Sequence, residues 1–266
     1  MERITTKERI WELDFLRGFA ILMMVFDHFM WDFTFLDGYF SNFYEVDHPM
    51  FNWLHDFATM YWNSTLRFFG REFFVLVFLL VSGISFTFSK SNFKRGFKLL
   101  IVALLITLVT YSMDLIFNFG VLIVFGVIHM FAVNILLVAL IRRLIHNEII
   151  ILFLGMLVIT FSIIFGFFSP DPAALSFDNL FGIVIGSKAY GADHFGIFPY
   201  LGFILIGTVI GKTFYKYKTS LVPKVKISQK NVVMFAGRYS IWVYVLHQPI
   251  VLVLVLAFAY IFGYRF

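Results

Sequence analysis

Residues 13–36 have the sequence LDFLRGFAILMMVFDHFMWDFTFL, an almost continuous apolar run long enough to cross a bilayer as a helix. Arg17 and His28 lie eleven residues apart in it, which is three helical turns plus about 20°, so both face one side at a separation of roughly 16 Å. Asp14 and Asp32 fall within about 60° of that side. Because ionisable groups are costly in hydrocarbon, this stripe predicts a functional site.

The composition indicates a polytopic membrane protein. The chain has 266 residues, of which 61% are hydrophobic and 14% charged, and its mean hydropathy is +0.88, whereas soluble domains average about 25% charged residues. We expect an all-α helix bundle forming one integral domain over residues 1–266. The absence of cysteine excludes disulfides, thiolate zinc sites, iron–sulfur clusters and cysteine nucleophiles. We expect no metal site.

Seven apolar segments of about 20 residues predict seven transmembrane helices, at residues 13–35, 73–89, 98–117, 120–141, 148–168, 196–214 and 239–262. If the N-terminus is cytoplasmic, most of the 21 Lys and Arg residues lie on the cytoplasmic side, and the other side carries Arg67, Arg71, Lys188 and Arg265. The positive-inside rule therefore predicts an N-in, C-out, multi-pass membrane protein. We expect it in the plasma membrane. The same rule accounts for the net charge of +5 without nucleic-acid binding.

Two long segments fall on the outer side in this topology. Residues 50–60 predict an amphipathic helix in the membrane interface, with Trp53, Phe57, Met60 and Tyr61 as its apolar and aromatic side. Residues 169–195 contain prolines and several glycines and predict a loop. Asp114, at the end of the third span, is expected to be solvated.

The ionisable residues of the first helix have a chemical and a structural interpretation. Arg17 can hold a phosphate or carboxylate bidentately, or it can extend to the inner headgroups. His28 can act as a general base or nucleophile near neutral pH, or it can bond a neighbouring helix. Asp32, one turn after His28, can orient and stabilise an imidazolium. Asp27 points about 100° away and is a weaker candidate for that role.

Two further histidines lie inside predicted spans. His129 in the fourth span lies at a depth close to that of His28. It can orient an acceptor, share a proton, or only pack through hydrogen bonds. His247 and Gln248 precede Pro249 in the seventh span, where proline removes a backbone hydrogen bond. That pair forms either a polar notch or a kink held by His247, and the structural role is slightly favoured.

Five short motifs resemble those of a known group of membrane enzymes. In order, they are LDFLRGFAIL (13–22) followed by His28, FFVLVF with VSGIS (73–85), FGVIHM (125–130), Asp193 with FPYLG (198–202) and Gly207, and GRYSIW with Tyr244 and HQP (237–249). The first resembles the opening motif of the transmembrane acyltransferases, including acyltransferase family 3. Together the motifs are similar to the bacterial branch that resembles heparan-alpha-glucosaminide N-acetyltransferase, over residues 9–255.

The resemblance implies acyl transfer from cytoplasmic acetyl-CoA or another acyl-CoA to an extracytoplasmic sugar amine or hydroxyl of an envelope glycan. His28 would be catalytic by position, either carrying the acyl group or assisting direct transfer. The expected catalytic group is His28, Asp32 and His129. The expected donor-binding group is Arg17, Asp14, Arg95, Arg238 and His247, although the positive-inside rule alone accounts for the basic loops.

Two other functions remain open at this level. A proton-coupled small-molecule transporter would use His28, His129 and His247 as relay groups, although the seven spans show no internal repeat pair of the kind that many transporters have. A membrane scaffold would use the same residues only to join helices. The expected partners are the lipid bilayer, acyl-CoA and a saccharide acceptor; a homodimer stays open.

Overall fold

The computed structural model describes residues 9–118, 120–191, 193–225, 227–228 and 230–266. These residues form helices, apart from loops and a parallel pair of two-residue strands, β1 Asp171–Pro172 and β2 Lys188–Ala189. The helices are α1 Trp11–Thr34, α2 Leu36–Tyr39, α3 Phe43–Val46, α4 Pro49–Trp62, α5 Thr65–Phe86, α6 Asn92–Phe117, α7 Val127–Leu144, α8 Glu148–Ile164, α9 Phe177–Ile185, α10 Tyr200–Thr213, α11 Val232–Arg238 and α12 Ser240–Ile261. The predicted all-α class is confirmed.

Each of the seven predicted spans contains a helix, and four of these helices, α5, α6, α7 and α12, are long and apolar enough to cross a membrane. α8 and α10 are apolar but have only 17 and 14 residues. α1 has 24 residues, but its apolar sequence contains five charged side chains: Glu12, Asp14, Arg17, Asp27 and Asp32. The count of seven spans and the N-in, C-out orientation therefore stay predictions.

The chain divides into two compact units. The terminal unit comprises residues up to Phe78 together with Thr219–Phe266, and the central unit comprises Leu79–Lys218. α5 begins in the first unit and ends in the second. In the terminal unit, α1 packs against α4, α11 and α12; in the central unit, α7 packs against α6 and α10, and α10 against α8. A single functional domain over the whole chain stays a prediction.

α1 and α11 touch backbone to backbone in the terminal unit. A Cβ added at Gly18 would overlap the carbonyl oxygen of Val233, and one added at Gly237 would overlap that of Asp14. Only glycine fits at such a contact, because any side chain would push the helices apart. This packing explains the glycines of the LRG and GRY motifs and fixes the end of α1 that holds Arg17.

The other end of α1 packs into an aromatic cluster. Its buried members come from α1, α2, α3, α4, α12 and the segments that flank them: Met30, Phe33, Leu36, Phe40, Phe43, Phe51, Ala58, Val255, Ala259 and Tyr264. Residues 50–60 are helical, as predicted, within α4. α4 buries Phe51 and Ala58 in the cluster, while Trp53 and Met60 of its predicted apolar side stay 61% and 64% exposed.

Three predictions about local structure are wrong. α7 begins at Val127 rather than at residue 120, because Asp114 of α6 accepts backbone N–H bonds from Val121 at 2.7 Å and Leu122 at 2.9 Å. Asp114 is thus engaged by the chain rather than solvated. The predicted loop at 169–195 contains α9, whose first turn is capped by the Ser176 hydroxyl and whose C-terminal cap is Gly186 at φ 100°.

Candidate functional site

Two histidines meet between α1 and α12 in the terminal unit. The ring centroids of His28 and His247 are 4.8 Å apart, and their planes cross at 80°. His28 is half-buried, and His247 is buried. The sequence placed both residues in apolar helices but could not show that they form a pair.

Each imidazole is held by a carbonyl of its own helix. Nδ1 of His28 lies 2.9 Å from the Met24 oxygen, and Nδ1 of His247 lies 2.6 Å from the Tyr244 oxygen. Because a carbonyl oxygen only accepts, Nδ1 carries the hydrogen in each ring. In the neutral rings Nε2 is then the basic nitrogen, as proton transfer to or from a substrate requires. The Met24 carbonyl, rather than Asp32, therefore orients His28.

Asp32 makes its hydrogen bond across the helix interface instead. Its Oδ1 accepts from Nε2 of Gln248 at 2.8 Å, and its exposed fraction is only 1%. Asp32 follows His28 by one turn of α1, and Gln248 follows His247 in α12. α1 and α12 thus each contribute a histidine and a second polar side chain to one cluster, which we call the two-histidine site: His28, Asp32, His247 and Gln248.

Asp27, the weaker candidate from the sequence, is fully engaged in a different contact. Arg67 binds its two carboxylate oxygens through Nε and Nη2, both at 2.9 Å, and the Tyr61 hydroxyl donates to it at 3.1 Å. The Arg67 guanidinium lies 3.5 Å from the centroid of the Trp62 ring. Burial and the Asp27 carboxylate raise the pKa of Tyr61 to about 12. Asp27 therefore joins α1 to α4 and α5.

Arg17 lies in an ion-pair network around Asp14. Its Nη1 is 3.3 Å from Oδ1 of Asp14 and 3.4 Å from the carbonyl oxygen of Gly237. Nε of Arg9 approaches the other Asp14 oxygen at 2.9 Å. Asp14 is buried, so its charge needs these cations. Arg17 is thus bound by Asp14 and Gly237. These contacts favour a role in stabilising the N-terminal end of α1.

His129, predicted to be catalytic, uses both ring nitrogens for hydrogen bonds in the central unit. Nε2 lies 3.0 Å from the Thr107 hydroxyl, which itself donates to the Ile123 carbonyl at 2.8 Å. Nδ1 accepts the backbone N–H of Gly126 at 3.3 Å. The hydroxyl uses its hydrogen on Ile123, so Nε2–H must donate to it. This arrangement leaves no lone pair on the His129 ring for base chemistry.

The predicted phosphate-binding cations are Arg95 and Arg238. Arg95 lies near the start of α6 in the central unit, and Arg238 ends α11 in the terminal unit, where its Nε donates to the Met234 carbonyl at 3.2 Å. The central unit also has a recess of about 250 Å³ that sequence reasoning missed. Its lining is basic and aromatic: Thr87, Phe88, Gly211, Lys212, Tyr215, Lys216 and Lys218.

Gln248 was predicted to form, with His247, either a polar notch or a kink, but it was not assigned to the catalytic or the donor-binding group. Its signal was its place directly after His247 in the HQP motif, but its partner Asp32 lies 216 positions away. In the terminal unit, Asp14 thus lies beside Arg17. In the same unit, His28, His247 and Asp32 belong to the two-histidine site. His129 and Arg95 belong to the central unit.

Comparison with known proteins identifies the family. A family model described as "Heparan-alpha-glucosaminide N-acetyltransferase, catalytic" matches residues 9–249. No curated protein and no solved structure matches the chain significantly. The match spans the LRG motif at one end and the HQP motif at the other, and so includes all four residues of the two-histidine site. The chain therefore belongs to the heparan-alpha-glucosaminide N-acetyltransferase catalytic family.

Proposed function

We propose that the protein is a membrane acetyltransferase that moves the acetyl group of acetyl-CoA to the amine of a glucosamine-type acceptor. The contact between His28 and His247 is the observation that supports this best. The family description indicates that the transferred group is acetyl and that the acceptor is of the glucosamine type. The geometry supplies a basic nitrogen on a ring held in one orientation, as general-base catalysis requires.

His28 is the proposed base. Its Nδ1–H stays on the Met24 carbonyl while Nε2 takes a proton from the attacking amine. The amine nitrogen bonds to the thioester carbonyl carbon, the carbon–sulfur bond breaks, and the CoA thiolate takes the proton from the imidazolium. Direct transfer and a covalent acetyl-His28 intermediate both use the same nitrogen. His247 would stabilise the positive charge by sharing the proton.

The donor needs cations for its phosphates. In the predicted topology Arg95, Arg238 and the lysines of the recess fall on the cytoplasmic side, where acetyl-CoA is available. Arg238 lies in the terminal unit together with His28, so we assign Arg238 to phosphate binding. Arg17 and Asp14 would support the N-terminal end of α1 rather than touch the donor. We assign His129 to packing.

The test is transfer of radiolabelled acetyl from acetyl-CoA to D-glucosamine by the purified protein in nanodiscs. We expect product with the wild type and at least about a hundredfold slower transfer with His28→Ala. A folded, fully active His28→Ala protein would refute the assignment of His28. No transfer to any amino sugar, together with no binding of acetyl-CoA, would refute the enzyme.

The transporter is the second candidate, because two touching histidines can also relay a proton. The same preparation in proteoliposomes with an imposed pH gradient distinguishes the two functions. Uptake of D-glucosamine that depends on the gradient and needs no acetyl-CoA would favour transport. We expect no such uptake.

A further inference from the structure

Two acceptor oxygens in the two-histidine site are buried and lack a hydrogen-bond partner among the described residues. They are Oδ2 of Asp32 and Oε1 of Gln248, the two oxygens that their mutual hydrogen bond does not use. Buried polar atoms in folded proteins are nearly always hydrogen-bonded, and an exception marks a place where another molecule can supply the partner. Both oxygens can only accept, unless the carboxyl is protonated. They therefore call for a molecule that supplies donors.

The position of these oxygens relates them to the reacting amine. Asp32 lies one turn beyond His28, and Gln248 directly follows His247. A helical turn rises about 5.4 Å, which is about the span between an amine and hydroxyls elsewhere on one sugar ring. An acceptor with its amine at Nε2 of His28 would thus present its hydroxyl hydrogens to the Asp32–Gln248 pair.

We propose that Asp32 and Gln248 form the hydroxyl-recognition subsite for an amino-sugar acceptor. This inference rests on the proposed function and deepens it, since it names the residues that distinguish a polyhydroxylated amine from a plain amine. It also reassigns Asp32 from orienting His28 to binding the acceptor. Sites that hydrogen-bond substrate hydroxyls discriminate strongly against analogues without them, because the protein's polar groups are then left unpaired.

Asp32→Asn is the sharpest variant. The asparagine has the same shape and can still accept from Gln248 through its oxygen, so the contact between α1 and α12 is kept. The other carboxylate oxygen becomes an amide N–H₂, which donates where the sugar hydroxyl also donates. Gln248→Met removes the second acceptor at similar volume. Asp56→Asn, on the exposed side of α4, is the matched control.

The experiment measures binding, without acetyl-CoA, of D-glucosamine and of cyclohexylamine, a six-membered ring amine that lacks hydroxyls. We expect Asp32→Asn and Gln248→Met to weaken glucosamine binding at least tenfold and to change cyclohexylamine binding less than twofold. We expect Asp56→Asn to bind both like the wild type. Thermal unfolding of Asp32→Asn should stay close to that of the wild type.

Three results would overturn the subsite: unchanged glucosamine binding in Asp32→Asn, an equal loss for both amines, or no glucosamine binding by the wild type. The first two would mean that the pair only joins the helices. A wild type that binds glucosamine with this dependence on Asp32 but transfers no acetyl would refute the proposed function and leave the subsite standing. The two failures are thus distinguishable.

Discussion

The turn around His129 in the central unit and the two-histidine site in the terminal unit look alike in sequence but differ in structure. Both place histidine in an apolar helix within a motif of the same family. At His129 the chain binds both ring nitrogens, whereas at His28 the hydrogen bond given among the described residues joins Nδ1 to the Met24 carbonyl. The acids of α1 show the same contrast. Arg67 and Tyr61 bind both carboxylate oxygens of Asp27, while Oδ2 of Asp32 has no hydrogen-bond partner among the described residues. A motif therefore identifies a polar residue, but only the hydrogen bonds of that residue show which of its atoms the protein already binds.

The largest effect is expected at His28. His28→Ala removes the proposed base, so acetyl transfer to D-glucosamine should fall by roughly 10²- to 10⁴-fold, the usual contribution of general acid–base catalysis. The measurement is kcat with radiolabelled acetyl-CoA. Thermal unfolding in the same nanodiscs controls for folding. A loss of kcat below about tenfold would contradict the proposal that His28, unlike His129, is catalytic.

His247→Ala should reduce kcat less, on the order of 10- to 100-fold, because it removes the partner ring but leaves Nε2 of His28. A second variant separates a chemical from a structural role. His247→Gln keeps a side-chain N–H for the Tyr244 carbonyl but has no basic nitrogen, so we expect it to lose kcat to the same degree as His247→Ala. A His247→Gln protein with wild-type kcat would mean that His247 only supports the helix contact.

Gly18→Ala should destabilise the terminal unit by about 1–3 kcal/mol or more, because the new methyl group overlaps the Val233 carbonyl. Gly70→Ala is the matched control, because a Cβ at Gly70 meets nothing within 4 Å. It should be neutral or slightly stabilising in a helix. Urea unfolding of both proteins tests this. Equal stabilities would argue against the close contact of α1 and α11.

His129→Ala should cost about 1–3 kcal/mol of stability, because it leaves the Thr107 hydroxyl and the Gly126 N–H with fewer partners. Acetyl transfer per folded molecule should change less than about threefold. The comparison with His28→Ala is the direct test of the difference between the two regions. A selective loss of kcat in a stable His129→Ala protein would return His129 to the catalytic group.

The smallest effect is expected at Tyr61. Its pKa is raised from 10.0 to about 12, chiefly by burial and then by Asp27, so its protonated form supports the fold. This stabilisation is complete below pH 10.0 and is lost as the pH rises towards about 12. Tyr61→Phe should weaken the pH dependence of unfolding in this window and cost about 0.5–1.5 kcal/mol at pH 8. An identical pH dependence in both proteins would contradict the contact with Asp27.

Much of the fold was predictable, because hydrophobic runs are local signals. α1 with its polar stripe, the seven apolar segments and the helix at residues 50–60 all follow from such patterns. α9 was also predictable in principle, since Ser176 is a favoured N-cap and Gly186 a favoured helix end. The prolines and glycines around α9 concealed it.

The site was only half predictable. The spacing in α1 and the family motifs pointed to His28, but neither shows which residue of α12 faces it. The bond between Gln248 and Asp32 depends on how two helices rotate and slide against each other. The start of α7 depends on Asp114, which binds backbone N–H groups seven and eight positions later. Such long-range pairings have no periodic signature in the sequence.

The carbonyl anchors of His28 and His247 make the site sensitive to helix register. Because each ring is fixed to its own helix, neither can follow the other if the helices move. A slide of α12 along α1 by a single residue, about 1.5 Å, would separate the rings and break the bond between Gln248 and Asp32 together. The contacts of the two-histidine site therefore form in only one register of α1 and α12. A bound acceptor that contacts both helices would stabilise that register.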